Sequence, residues 1–470
     1  MEFVFTFDEK NGIPYYHQLY QFVRHEIESG KIAAGSRLPS VRSLCDSLKV
    51  SKTTVEQAYQ QLVAEGYIES KHRSGYFSLT PEHSFGSSTD SKYIDVLFPT
   101  AEQRQPDIDF HPARVDVHSF PRLTLKRIAN EVWNGIDQTL LDYGDAKGEL
   151  GLRKQIATYL QHSRGVRCSP QQIVVGSGIQ FSLQFLVDLL GRENMQVAME
   201  DPGYGRAQSI FNRLHVGIKP ISLDHDGISV KELYSNTAQL VYVTPSHQFP
   251  LGMVMSYSKR IQLLEWAEQT GSIIIEDDYD GEFRYSERPV PSLQGIDSHH
   301  RVVYIGTFSK ALAPSFRMNY MVLPVSLLED ALHRLQEIDS PVPKLQQLIV
   351  ERFMDLGHFE RHIRRVRRSY RQKHSILLDA VRSEFGELAA IEGHGAGLHV
   401  LVRLQTNYSE VELAERAEAV GVRVYFPAHS ATLHIVPCEA SPTVSIMLGF
   451  AGLGAADIVE GVSRLRAAWL

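Results

Sequence analysis

In the stretch Val302–Arg317, VVYIGTFSKALAPSFR, an apolar run ends in Thr307, Ser309 and Lys310, and Arg317 follows seven residues after the lysine. An amine at the end of a buried strand, among hydroxyls and near a guanidinium, suits a lysine that reacts with a carbonyl. Other apolar runs end in residues of comparable chemistry. Ile173–Val175 leads into Gly176-Ser177-Gly178-Ile179, a turn that opens a helix and offers free backbone N–H groups to a phosphate. Val197–Met199 leads into EDPGYGR with Tyr204 and Arg206, Leu240–Val243 into TPSHQFPLG, and Ile273–Ile275 into EDDYDGEF with Asp277, Asp278 and Asp280. The three aspartates do not make a calcium loop, because Pro289 and Val290 stand where its closing glutamate belongs. Solvated loop charge remains an alternative for that segment taken by itself.

These runs alternate with helix-like segments such as 179–190 and 256–269, which implies a largely parallel sheet covered on both faces. Ligands of such sheets sit beyond the carboxyl ends of the strands, where these residues lie. Together they supply an amine, a carboxylate, a phenol, an arginine, a flat aromatic and a phosphate cradle. That set fits pyridoxal 5′-phosphate: a lysine takes the aldehyde as a Schiff base, a carboxylate keeps the ring nitrogen protonated, and helix-start amides, hydroxyls and an arginine hold the phosphate.

The N-terminal 79 residues read differently. Tyr16, Leu19, Tyr20, Val23 and Ile27 recur at helical spacing after Pro14. Ser40 can cap a short helix bearing Val41, Leu44 and Leu48. Ser51 can cap a second, with Val55, Ala58, Tyr59, Leu62 and Val63 on one face. GYIESKHRSGYFS then alternates around Ser74-Gly75 as a hairpin does. This is a helix-turn-helix followed by a wing. Residues 31–77 carry seven Lys and Arg against four Asp and Glu, a local +3 within a chain of net charge −7. A small DNA-binding module diluted by an acidic remainder is consistent with that balance. Residues 80–108, rich in Ser, Thr, Pro, Gly and Asp, read as a linker, and 109–470 as the second domain.

Of 470 residues, 43% are hydrophobic and 22% charged, a globular composition long enough for two or three domains. Three scattered cysteines suggest a reducing compartment and no thiol-based metal site. MEFVFTFDEK lacks the pattern of a signal peptide, and no run approaches the length of a membrane span, so a cytoplasmic protein is expected.

SRLPSVRSLCDSLKVSKTTVEQAYQQLVAEGYIESKHRSGYF resembles the GntR-type winged helix-turn-helix. The resemblance implies double-stranded operator DNA as partner, with Arg37, Arg42, Lys52, Thr53 and Thr54 as contacts and Arg73 and Gly75 in the wing. From about residue 109 the chain resembles the fold-type I, class I aminotransferases, an α/β fold with a mostly parallel sheet in the large domain and a smaller C-terminal α+β domain. The two halves joined resemble the MocR/GabR-type regulators. By that resemblance Lys310 is the Schiff-base lysine, Asp277 the partner of the pyridine nitrogen, Tyr279 the donor to the ring hydroxyl and Tyr204 the stacking aromatic. Gly178, Ile179, Thr307, Ser309 and Arg317 form the phosphate cradle. Tyr143, in YGDAKGELGLR, reaches the phosphate of a partner subunit, which implies a homodimer. Arg206 matches a position that holds an effector carboxylate, and His429 is a further candidate in the effector pocket, with His247, Tyr425 and His434.

Two departures bear on function. Phe249-Pro250-Leu251-Gly252 stands where aminotransferases carry Asn-Pro-Thr-Gly, and Ile446, Met447 and Leu448 stand where they place an arginine for the substrate carboxylate. Transamination needs such an anchor to orient the substrate. The expectation is a transcriptional regulator that senses an amino compound, or pyridoxal phosphate itself, through Lys310. An active aminotransferase with an accessory DNA-binding domain is the alternative, and the effector, operator and sign of regulation stay open.

Overall fold

The protein is described by a computed structural model over residues 5, 7–8, 12–71, 74–79, 106–135, 138–191, 193–285, 290–427 and 443–470. It divides into two compact units, Met1–Gln103 and Arg104–Leu470.

In the first unit, helices begin where serines can cap them. After the N-terminal helix α1 (Tyr15–Glu28), the Ser40 hydroxyl accepts from the Ser43 N–H at 3.1 Å and caps α2 (Val41–Leu48). The Ser51 hydroxyl accepts from the Thr54 N–H at 3.2 Å and starts α3 (Lys52–Ala64). Leu19, Tyr20, Val23 and Ile27 of α1 are buried in one cluster with Val55, Ala58, Tyr59 and Leu62 of α3. Val63, expected on that face, is exposed. Eight residues on from Val55 it has rotated roughly 80° away from the buried line. Strands β1 (Ile68–Lys71) and β2 (Gly75–Ser78) pair antiparallel, with Lys71 opposite Gly75. The Tyr59 hydroxyl donates to the Pro39 carbonyl at 2.9 Å, and its ring meets Tyr76 edge-on, tying α3 to both the turn and the wing.

In the second unit, short runs rich in Ile, Val and Leu pair into an eight-stranded sheet of order β4-β11-β10-β9-β8-β5-β6-β7. The strands are β4 (Ile173–Gly176), β5 (Gln196–Asp201), β6 (Gly217–Asp224), β7 (Gly227–Ile228), β8 (Leu240–Val243), β9 (Ile273–Asp278), β10 (Val302–Thr307) and β11 (Asn319–Val322). β10, β9, β8, β5 and β6 are parallel. β11 is antiparallel to both β10 and β4, so β4 runs with the parallel set and Asn319 starts β11 at the edge where the others end. Strand β3 (Ile108–Asp109) pairs with β14 (Val422–Arg423). The antiparallel sheet β12 (Ala389–Glu392), β13 (His399–Gln405) and β15 (Thr443–Gly449) shares an apolar core with residues of the helices His358–Phe385 and Ala455–Trp469.

The linker expected through residue 108 ends sooner. Ile108 is buried and donates its N–H to the Gly421 carbonyl, and Asp107 pairs with Arg464. Apolar burial and strand pairing claim these residues despite the polar composition just before them. Among the described residues no helix is long and apolar enough to cross a membrane.

Removing the α3 cap tests how the first unit is held. Ser51→Ala should cost about 1 kcal/mol of its stability, while Ser51→Asp should restore most of it, both read by urea unfolding. Equal stability of Ser51→Ala and the parent would show that the cap is dispensable.

Candidate functional site

The pleat of β9 sends its adjacent aspartates to different partners. Asp278 accepts from Arg164 at 2.6 Å and from the Tyr304 hydroxyl at 2.7 Å, and Arg164 also donates to Ser246. Burial would raise the Asp278 carboxyl, but the Arg164 guanidinium and these hydrogen bonds hold it below the usual carboxylate range. Asp280 pairs with His247 Nδ1 at 2.9 Å. Asp277 accepts from the Tyr242 hydroxyl, and no cationic side chain among the described residues lies within ion-pair distance. Burial pushes Asp277 up to about 7; the Tyr242 hydrogen bond opposes this, and Asp278 and Asp280 add to it. A buried carboxylate in that state is stabilised by a cation placed opposite it.

Strand register sets Ile305 beside Asp277, so the β10 extension carrying Lys310 leaves the sheet next to that carboxylate. Lys310 Nζ donates to the Pro112 carbonyl at 3.0 Å. Burial pulls its amine down to about 8, with Asp280 opposing. More of it is therefore neutral and nucleophilic near pH 7 than for a surface lysine. Tyr204 sits at the start of the helix Gly205–Arg213, edge-on to Phe249 with ring centroids 5.4 Å apart. Burial raises the Tyr204 hydroxyl, Asp277 adds to this, and Arg206 and Arg317 oppose it, so Tyr204 stands within electrostatic reach of all three.

Gly178 precedes the helix Ile179–Leu190 with φ +120, a conformation that favours glycine. A Cβ there would lie 2.8 Å from Arg317 Nη2, so the guanidinium rests against the turn. The Gly178 N–H donates to Asn319 Oδ1 at 2.9 Å, and the helix start has no side-chain cap. Its first amides and Arg317 lie together as an anion cradle would require. The Thr307 hydroxyl accepts from the Ser309 N–H at 3.1 Å, which folds the strand end into a turn.

Other expected residues are placed less centrally. The Tyr279 hydroxyl lies 3.0 Å from both the His247 carbonyl, to which it donates, and His247 Nδ1. Arg206 is exposed in the first turn of its helix, and Tyr143 is 89% exposed. His429 and His434 lie outside the described residues. In the first unit Arg42, Lys52 and Thr53 are exposed, with Lys52 paired to Glu56. The Thr54 hydroxyl is bonded to that of Ser51. Arg37 Nε lies 3.6 Å from the position of a Cβ on Gly75, bringing those two together, and Arg73 is outside the described residues.

Sequence reasoning missed Tyr242, Asn319, Arg164 and Pro112. Tyr242 and Asn319 stand within or at the start of apolar strands, where their side-chain direction depends on the neighbouring strand. Arg164 and Pro112 reach the site over long sequence separations and carry no local signal.

The residues present fit pyridoxal 5′-phosphate. The unpaired Asp277 carboxylate suits a protonated ring nitrogen, the Gly178–Arg317 turn suits a phosphate, and Lys310 offers an amine of depressed basicity to an aldehyde.

The profile "Bacterial regulatory proteins, gntR family" matches residues 15–77, and "Aminotransferase class I and II" matches 117–439. The chain is 43% identical to the HTH-type transcriptional regulator YdeL of Bacillus subtilis over 97% of each chain. It is 33% identical to the probable rhizopine catabolism regulatory protein MocR of Rhizobium meliloti, over 98% of this chain and 95% of that one. Among solved structures, Pyrococcus horikoshii kynurenine aminotransferase, determined with PMP, superposes with a TM-score of 0.68 at 26% identity, covering 81% of this chain and 94% of that one.

Asp277→Asn separates cofactor binding from folding. Because folding raises the Asp277 pKa, its ionised form opposes folding, and the native state loses stability as pH rises from about 4 towards 7. Cofactor-free Asp277→Asn should therefore be more stable than the parent at pH 8, by up to about 4 kcal/mol, and nearly equal at pH 4. With pyridoxal phosphate the order should reverse, since only the carboxylate pairs with a ring cation. Thermal melts of both proteins in both states check this, and an unchanged order would remove Asp277 from the ring.

Proposed function

The chain belongs to the MocR-type transcriptional regulators, it binds DNA and it takes pyridoxal 5′-phosphate as cofactor; from that premise we propose that Lys310 makes the cofactor the receiver of a small-molecule signal. When bound, the cofactor supplies an electrophilic carbon that exchanges one amine for another. Lys310 would be the residue that holds the cofactor through this carbon, and the amine that an effector amine would displace. Asp277 would hold the ring nitrogen in its charged form, Tyr204 would pack against the ring, and Gly178, Ile179, Thr307, Ser309 and Arg317 would fix the phosphate. The single observation that carries this reading is the pairing of a depressed lysine with an unpaired buried carboxylate at neighbouring strand ends.

The signal is an amino compound or pyridoxal phosphate itself. Release of Lys310 from the cofactor would return its amine to the Pro112 carbonyl, to which it donates at 3.0 Å, so the exchange would change the contacts of two chain segments at once. An effector that binds one such arrangement better shifts the population towards it. Lasting transamination is disfavoured, because β15 buries Ile446, Met447 and Leu448 where a substrate anchor would be useful.

A homodimer is part of the proposal. Val117, Leu123, Leu141 and Tyr143 are apolar or aromatic and exposed along one stretch of the second unit, as a self-complementary interface would require. Two winged units then read operator half-sites through Arg37, Arg42, Lys52, Thr53, Thr54, Arg73 and Gly75. Such a regulator works in the cytoplasm, where the DNA is.

Arg42→Ala should weaken binding to the specific operator by about tenfold or more in mobility shifts, with a smaller salt slope if the contact is to phosphate. Unchanged affinity would remove α2 from the interface. Sustained interconversion of amino and keto acids by the purified protein, at many turnovers per second, would overturn the sensor reading.

A further inference from the structure

The segment Asp109–Arg114 crosses the site at Lys310. Pro112 accepts the Lys310 hydrogen bond, and three polar residues of the segment, Asp109, His111 and Arg114, are held by further contacts. Asp109 has a side chain 3% exposed, with each oxygen engaged: Oδ1 accepts from the Tyr425 hydroxyl at 3.0 Å, and Oδ2 lies 2.8 Å from Arg114 Nη2. The His111 ring meets Tyr425 at 4.8 Å between centroids, and its Nδ1 accepts from the Ala113 N–H at 2.9 Å. With Nδ1 accepting, the neutral ring keeps its proton on Nε2. Burial lowers His111, with Asp109 opposing, and both Lys310 and Arg114 act on it, so the ring stands within electrostatic reach of both cations.

Arg114 differs from the buried arginines of this unit. Arg164 and Arg260 spend their donors on carbonyls, a hydroxyl and carboxylates inside the fold. Arg114 is held through Nη2 and leaves its side chain 58% exposed. Its stem is fixed as well. The Arg114 N–H donates to the His111 carbonyl, and a Cβ on Gly452 would lie 2.7 Å from the Arg114 Cβ, so only glycine leaves room for it there. β15 meets Tyr425 through the Met447 N–H, which donates to the Tyr425 carbonyl at 2.7 Å, and its residues 446–448 are apolar and buried.

We propose that Arg114, positioned by Asp109 and Tyr425, binds the acidic group of the effector, and that the effector is an amino compound bearing a carboxylate. This rests on the reading of Lys310 as the point of amine exchange. A planar guanidinium fork matches a carboxylate with two parallel hydrogen bonds, whereas a lysine or a rim threonine does not. The anchor thereby comes from the segment that also bonds Lys310, so occupation of one is felt by the other.

The test is titration of the cofactor-loaded protein, followed by its visible absorbance, with amino carboxylic acids of increasing chain length, the matching amines without the carboxylate, and aminosulfonates. Wild type should respond to one carboxylate at far lower concentration than to the matching amine. R114Q should raise the half-saturating concentration of that acid by roughly 10- to 100-fold and leave the amine within about threefold. R114K should fall between. D109N, which loosens the fork without removing it, should weaken the acid and not the amine, and decides the matter if R114Q fails to fold. Wild-type affinity of R114Q for the acid, or equal weakening of acid and amine, would overturn the assignment of Arg114. Preference for the sulfonate would keep Arg114 and overturn the carboxylate. A wild type blind to every amine would sink the exchange reading itself, and this assignment with it.

Discussion

A buried carboxylate without a cation is the constraint on which the second unit turns. Asp277 lies at the end of a parallel strand, and its one described hydrogen bond comes from a tyrosine hydroxyl. Its neighbours Asp278 and Asp280 make it harder to ionise, and they are themselves engaged, Asp278 by Arg164 and Asp280 by His247. The fold therefore holds a site of negative potential that a protonated ring nitrogen relieves. In the proposed function the adjacent Lys310, its amine depressed by burial, would be the amine for that ring's aldehyde. Cofactor affinity and local stability are thus linked through the same group.

Much of this was legible in the sequence, because strand ends of a parallel sheet collect functional residues and the runs before them were easy to recognise. Lys310, Asp277, Tyr204, Gly178 and Arg317 follow such runs directly, and the structure brings them to one edge. The winged unit was equally readable from Ser40 and Ser51, whose caps formed as expected. What escaped was non-local. The division of labour among Asp277, Asp278 and Asp280 depends on Arg164, over a hundred residues earlier, and on the pleat of β9. Val63 shows the same limit within one helix: an apolar residue off the buried line by a fraction of a turn is left to solvent. Ile108 shows it at a boundary, where pairing with Val422 outweighs local composition.

The geometry also explains why the same fold can serve sensing in place of turnover. Catalysis requires the substrate to be held rigidly through its acidic group while a proton moves. Here the strand position for such an anchor is apolar, and the exposed guanidinium at Arg114 sits instead on the segment that bonds Lys310. On the proposal made for Arg114, binding through that segment would change contacts around the lysine, which is the requirement for a signal to reach other parts of the chain.

The most direct measurement compares operator affinity before and after borohydride reduction of the loaded protein, which fixes the cofactor permanently on Lys310. The account predicts that the unreduced protein changes its operator affinity when the effective amino compound is added, and that the reduced protein binds the operator yet no longer responds. A reduced protein whose operator affinity still shifts by the same factor would contradict it.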